Sequence, residues 1–302
     1  MKRVMLIVNP KAGSASPRTR DVIVRALQSD FKLEAHETAR REHAMELSAE
    51  AVDRDFEAVL AFGGDGTINE VAQPLVGSEV ALGIIPGGST NVMARSLGMP
   101  SDPVEATSFV SEHLRRGTKR RIGVGRINER YFLFSAGMGL DAEVVRRVEE
   151  HVRRTGRKSE WTFIRHALAA GSTEYRGAEQ WLRTVVGDED PFDGVLGICC
   201  NAWPFTYYRK WPVDACPQAR LDARLDLLVF TKIRTATIPR IIRSLFSGGG
   251  HIKWRNTRYF HDIPALTWTA AIPKPVQVDG DYIGNWTSAS LTHLPDALDL
   301  LV

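Results

Sequence analysis

At 302 residues and 33.6 kDa, 43% hydrophobic and 25% charged, the chain has the make-up of a folded protein, and a prior of about 150 residues per domain suggests two domains. Lysine and arginine exceed aspartate and glutamate by only three (39 against 36), too small an excess for a nucleic-acid binder. No uncharged run approaches the ~18 to 20 apolar residues of a spanning helix, and three cysteines without a C-x-x-C indicate neither a disulfide framework nor a zinc site.

The opening Met1-Lys2-Arg3 precedes only five apolar residues, fewer than the ~7 to 15 of a signal-peptide core, so the expected compartment is the cytoplasm. Residues 3–8 read as a buried strand. Residues 18–27 read as a helix with Val22, Ile23, Ala26 and Leu27 on one side. A strand at 31–37, a helix at 43–56 and a strand at 57–62 follow, then a loop, a short helix near 69–75 and a strand at 81–85. This rhythm predicts a doubly wound α/β domain over residues 1–122, with a mostly parallel sheet that binds ligands beyond the carboxyl ends of its strands.

After Arg121 short strands crowd together, at 131–135, 181–186, 195–201, 225–231, 257–261, 265–271, 276–278 and 286–291. Helices interrupt at 142–154, 160–170 and 238–246. Many short strands punctuated by Gly and Pro predict a β-sandwich over residues 123–292, with a tail of about 293–302 that could return to the first domain.

Three glycine-rich turns follow three of the N-terminal strands: Asn9 to Ser16, Gly63-Gly64-Asp65-Gly66-Thr67, and Pro86 to Asn91. Glycine lets successive N–H groups point at one spot, and a helix N-terminus adds its positive end. One such turn is ordinary β-to-α geometry; three on one sheet edge predict a ligand with several phosphates. The third turn lacks the lysine of a P-loop, since Ser89 stands in its place. Gly137-Met138-Gly139-Leu140-Asp141-Ala142 fits a dinucleotide fingerprint, but a basic helix follows where a second strand with a terminal acid is needed.

Residues 63–71, GGDGTINEV, resemble the signature of the diacylglycerol kinase catalytic-domain family. Asn9-Pro10 with Gly13, Gly88-Ser89-Thr90-Asn91 with Ala94-Arg95, Ala136 to Ala142, Pro217 to Leu227 and Val278-Asp279-Gly280-Asp281 are similar to its further motifs, in the same order. Three departures stand out. Val92 occupies the family's Asp, Ala223 a Gly and Asp281 a Glu.

The resemblance implies an ATP- and Mg²⁺-dependent lipid kinase that phosphorylates the hydroxyl of diacylglycerol or a related lipid in phospholipid metabolism. It implies nucleotide contacts from Asn9, Pro10, Lys11, Gly13, Thr38, Gly63, Gly64, Asp65, Gly66, Thr67, Asn69, Glu70, Gly88, Ser89 and Asn91. Asp65, a carboxylate among glycines, suits Mg²⁺, or alternatively caps a helix. Lys11, Arg18 and Arg20 are candidates for the phosphate charge, although the two arginines fit a solvated helix face equally. Asp281 takes the role of general base by resemblance; its alternative is a type I′ hairpin turn, for which Asp-Gly is a strong signal. A second Mg²⁺ is implied at Asp222 with the carbonyls of Ala219 and Arg224.

The lipid substrate would be met at a membrane surface, with the protein cytoplasmic and peripheral, and a homodimer is possible. Two segments suit an anionic interface: the aromatic and basic run from Trp203 to Trp211, and Arg146, Arg147, Arg153, Arg154, Arg157 and Lys158. Buried aromatics and a solvated basic face are the alternatives. The rival functions are an NAD kinase-like enzyme with a soluble acceptor, and a nucleotide- or lipid-binding homologue without catalysis.

Overall fold

A computed structural model describes residues 1–155 and 180–302. The helix expected at 160–170, Arg157, Lys158 and the side chain of Arg153 lie outside the described residues. The chain divides into two compact units, Met1–Val124 with Pro295–Val302, and Gly125–Leu294.

In the first unit, β1 (Arg3–Val8), α1 (Pro17–Asp30), β2 (Lys32–Glu37), α2 (His43–Asp53), β3 (Ala58–Gly63), α3 (Asp65–Leu75), β4 (Ala81–Pro86), α4 (Val92–Ser96) and α5 (Pro103–Arg116) alternate. β1, β3 and β4 are apolar runs buried on both faces, as a parallel sheet covered by helices requires. The strand order is β4-β3-β1-β2, all parallel, and the chain's final strand adds Leu300 beside Leu82. The polar β2 forms the edge. α1 packs with α5, and α2 with α3.

Two helix starts differ from the sequence reading. α3 begins at Asp65 rather than near residue 69, because Gly64 serves as its N-cap and the low helix propensity of glycine masks the first turn. α5 was not foreseen, yet its signals are local. Asp102 accepts from the N–H groups of Val104 (2.8 Å) and Glu105 (3.0 Å), Pro103 opens the helix, and Gly117 closes it at φ 71°.

The second unit holds the end of β5 (Arg120–Ile127), β6 (Arg130–Phe132), β7 (Ser135–Gly139), α6 (Leu140–Thr155), β8 (Leu182–Val185), β9 (Phe192–Gly194), β10 (Leu196–Cys200), β11 (Thr206–Tyr208), β12 (Trp211–Val213), β13 (Leu225–Phe230), α7 (Ile238–Leu245), β14 (Thr257–Ile263), β15 (Ala265–Val278) and most of β16 (Asp281–Leu300). The strands expected at 265–271 and 276–278 are one strand, β15. Pro273 lies in the stretch between Thr269 and Lys274 where the register against β16 shifts, while Pro275 is paired with Asn285. Its early part pairs with β8 and its late part with β7. Side chains from both parts, Trp268 and Leu266 with Val276 and Val278, meet Phe132, Met138 and Leu227 in the apolar core of this β-rich unit.

Candidate active site

The three glycine turns of the first unit are laced together by backbone hydrogen bonds. Asn9 N–H donates to Phe62 O (2.9 Å), Ser14 N–H to Gly87 O (3.1 Å) and Gly87 N–H to Gly63 O (2.7 Å). Each turn leaves the carboxyl end of a parallel strand, β1, β3 or β4. The approach is close enough to require glycine. A Cβ on Gly88 would lie 2.7 Å from the Gly64 Cα, and one on Gly64 would sit 3.4 Å from the Gly88 Cα.

Side chains hold the turns from within. Asn9 Nδ2 donates to Thr67 Oγ1 (3.1 Å), and Asn9 Oδ1 accepts from Lys11 N–H (3.0 Å). Asn91, at φ 49°, accepts from Gly88 N–H (2.9 Å) and donates to Gly88 O (2.8 Å). Thr38 is half-buried at the end of β2, its N–H on Val8 O (2.8 Å). Lys11, Pro10 and Ser89 are exposed. Gly13, Gly63, Gly64, Gly66 and Gly88 keep this edge poor in side chains.

Not every residue of the motifs points to the same place. Asn69 is buried and its Oδ1 accepts from Gln73 Nε2 (3.1 Å), which braces α3. Glu70 accepts the Glu42 N–H (3.0 Å) at the start of α2. Arg20 pairs with Glu37 across the helix–strand surface, while Arg18 is exposed. Val92, in place of the family's Asp, is buried.

Asp65 is half-buried, and its Oδ1 accepts from Met93 N–H at 3.3 Å. Among the described residues no three His, Cys, Asp or Glu side chains cluster as a ready-made metal cage. The chemistry of a carboxylate beside these turns fits Mg²⁺, which takes one or two carboxylates and completes its shell with phosphate oxygens and water. The second implied site lies on the loop before β13. There Asp222 is exposed, Ala223 N–H donates to Arg220 O (3.1 Å), and Arg224 is clamped on Asp262 by its N–H (2.9 Å) and its Nη2 (3.0 Å). Ala223 is not in the left-handed region, so the family's glycine is not required by this backbone.

In the second unit, Asp279 (φ 49°) and Gly280 (φ 80°) form the two-residue turn of a hairpin. Positive φ at both central positions is the type I′ geometry that Asp-Gly predicts. Asp279 is buried and its carboxylate accepts three backbone N–H groups, from Leu133 (2.7 Å), Phe134 (2.9 Å) and Ser135 (2.9 Å). Asp281, just past the turn, is only half-buried.

The motifs of the resemblance include Asp141, but sequence reasoning missed Glu149 and the contacts by which both residues hold this hairpin. Glu149 of α6 accepts the Tyr282 N–H (2.8 Å). Gln277 receives Gly280 N–H (2.9 Å) and donates to Asp141 Oδ2 (3.1 Å), also on α6. Burial pushes the Asp141 carboxyl up to about 6, with the Gln277 hydrogen bond opposing. α6 therefore grips the hairpin on both sides of Asp281. No local signal marks these partners, which lie more than a hundred residues apart in sequence.

Residues 3–127 match the diacylglycerol kinase catalytic domain. The chain is 32% identical over 302 residues to a diacylglycerol kinase of Staphylococcus haemolyticus, covering 94% of this chain and 83% of that one. A 34% match to a diacylglycerol kinase of Bacillus subtilis spans 143 residues, 46% of either chain. A diacylglycerol kinase crystal structure from Bacillus anthracis superposes with a TM-score of 0.70 at 20% identity, over 99% of this chain and 96% of that one.

Proposed function

The chain belongs to the diacylglycerol kinase catalytic-domain family, phosphotransferases with an alcohol acceptor, and from that premise we propose that it transfers the γ-phosphate of ATP to the hydroxyl of diacylglycerol or a closely related lipid at a membrane surface. The observation that carries the reading is the meeting of three glycine turns at the carboxyl edge of a parallel sheet, with Asp65 beside them. Phosphoryl transfer asks a protein chiefly to position the reactants and neutralise charge. Backbone N–H groups of the turns, with Lys11, receive the nucleotide phosphates. Asp65 would hold Mg²⁺, which when bound would supply neutralisation of the phosphoryl charge.

Asp281 receives the proton of the acceptor hydroxyl, a group too weakly acidic to ionise unaided near neutral pH. Its carboxylate has the same chemistry as the family's glutamate, one methylene shorter. Asp279 cannot substitute, because its oxygens already serve three backbone donors. The test is transfer of labelled phosphate from ATP to a panel of lipid hydroxyls in mixed micelles, with NAD as the soluble acceptor. Label in diacylglycerol supports the reading. Label in NAD alone overturns it, and nucleotide binding without any transfer identifies a non-catalytic homologue.

A further inference from the structure

The two segments that the sequence offered to a membrane behave differently in the fold. On α6 two of the arginines are paired within the helix: Arg146 bonds Glu143 (2.8 Å through Nε) and Glu150 (2.6 Å), and Arg147 bonds Glu143 (2.6 Å). Glu143 is buried and held below its ordinary range by these two guanidiniums, against the opposing effect of burial. The charge of Arg146 and Arg147 is therefore spent within the helix.

The Trp203–Trp211 segment is the opposite case. β11 and β12 form an isolated two-stranded ribbon whose tip carries Arg209 and Lys210, both exposed. Trp211 is 58% exposed, and Trp203 and Phe246 are each 41% exposed. These aromatics belong to one surface. The Tyr208 ring meets Phe246 edge-on at 6.1 Å, and buried Asp214 accepts from Trp203 Nε1 (2.8 Å) and from Gly248 N–H (3.2 Å) just past α7. Exposed Arg240 and Arg243 extend the surface along α7.

The charge here is one-sided. Residues 227–261 contain Lys232, Arg234, Arg240, Arg243, Lys253, Arg255 and Arg258 and no acid. The acids nearest in sequence to the ribbon and α7 are Asp214 and Asp226, both buried, and exposed Asp222. Exposed tryptophan beside lysine and arginine matches the headgroup zone of an anionic bilayer, where the rings enter the interface and the cations meet lipid phosphate. A second copy of the chain fits poorly, because a two-fold contact through this patch would set cations against cations.

We propose that the β11–β12 ribbon and α7, through Trp203, Trp211, Phe246, Lys210 and Arg243, form the surface that docks this protein on an anionic lipid bilayer. The proposal names the membrane partner of the lipid kinase read above and rests on that reading for its purpose, though not for its measurement. Each basic residue at such a surface contributes about 5-fold in partition.

The test is flotation with vesicles of phosphatidylcholine alone or mixed with phosphatidylglycerol, without ATP or acceptor, so that its failure is distinct from an absence of phosphate transfer. Wild type should float with the anionic vesicles and be released by salt. Lys210→Gln with Arg243→Gln should weaken partition about 25-fold, while Arg25→Gln on exposed α1 should not change it. Trp211→Ala, at a side chain already facing solvent, tests the aromatic part independently and should abolish part of the fluorescence quenching by brominated lipid. Flotation of both patch variants at wild-type levels overturns the proposal. So does concentration-dependent self-association in the absence of vesicles that the same variants remove, which would name a second copy as the occupant.

Discussion

Two turns in this protein set an aspartate against glycine, and they do so for opposite reasons. In Gly63–Thr67 the glycines allow Gly64 and Gly88 to approach, and Asp65 is left half-buried at the start of a helix. In Asp279–Gly280 both residues supply positive φ for a tight hairpin, and the Asp279 carboxylate is buried on three backbone donors. A carboxylate whose lone pairs are taken by N–H groups is part of the framework. Asp65, half-buried on a side-chain-poor edge, is the carboxylate proposed above for the cation, and Asp281, two residues beyond the buried aspartate, is likewise half-buried.

That contrast is breakable by mutation. The largest effect is expected at Asp65: Asp65→Ala should lower turnover by at least ~10³-fold while leaving the fold intact. Near-normal turnover at saturating Mg²⁺ would remove Asp65 from the chemistry. Asp281→Asn comes next, with kcat falling ~10²- to 10⁴-fold and KM for ATP little changed, whereas Asp281→Glu keeps substantial activity. A silent Asn variant would reduce Asp281 to a hairpin residue.

Asp279 should fail in a different currency. Asp279→Ala orphans three buried N–H groups at about 1–3 kcal/mol each, so chemical denaturation should show a loss of at least ~3 kcal/mol. Asp279→Asn, which tolerates positive φ and retains one acceptor oxygen, should lose less. Equal kinetic loss in both variants without destabilisation would place Asp279 in the chemistry instead.

A smaller effect is expected at Asp141. Its folded carboxyl sits at about 6 against an ordinary 3.8, so between these values the folded chain binds more protons than the unfolded one. Stability conferred by the protonated form is present at low pH and falls as pH rises from about 4 to 6, then levels. Asp141→Asn should flatten that slope and stabilise the protein by about 2–3 kcal/mol above the transition, read from denaturation midpoints across pH. Gly88→Ala sharpens the other side of the comparison. Its Cβ would sit 2.7 Å from Gly64 Cα, and separating the turns should raise KM for ATP about 10-fold.

The first unit was largely legible. The runs at 3–8, 57–62 and 81–85 are apolar on both faces, and each becomes a central parallel strand within a residue or so. Helix α5 was missed although Asp102, Pro103 and Gly117 mark its ends. The pairing of Arg146 and Arg147 with Glu143 is equally local, at helical spacings of three and four residues. In β15 the pairing with β16 breaks at the stretch holding Pro273 without ending the strand.

What the sequence by itself determined is therefore the type of each strongly patterned element and the position of its turns, since hydrophobic period and glycine placement act over a few neighbouring residues. Only the tertiary structure decided which charged groups are spent and which are available. The contact of Gly64 with Gly88, the capture of Leu133–Ser135 by Asp279, and the grip of Glu149 on Tyr282 join segments far apart in the chain. The same aspartate or arginine is framework or reactive group according to the partners that folding brings within about 3 Å, and no local pattern encodes that distance.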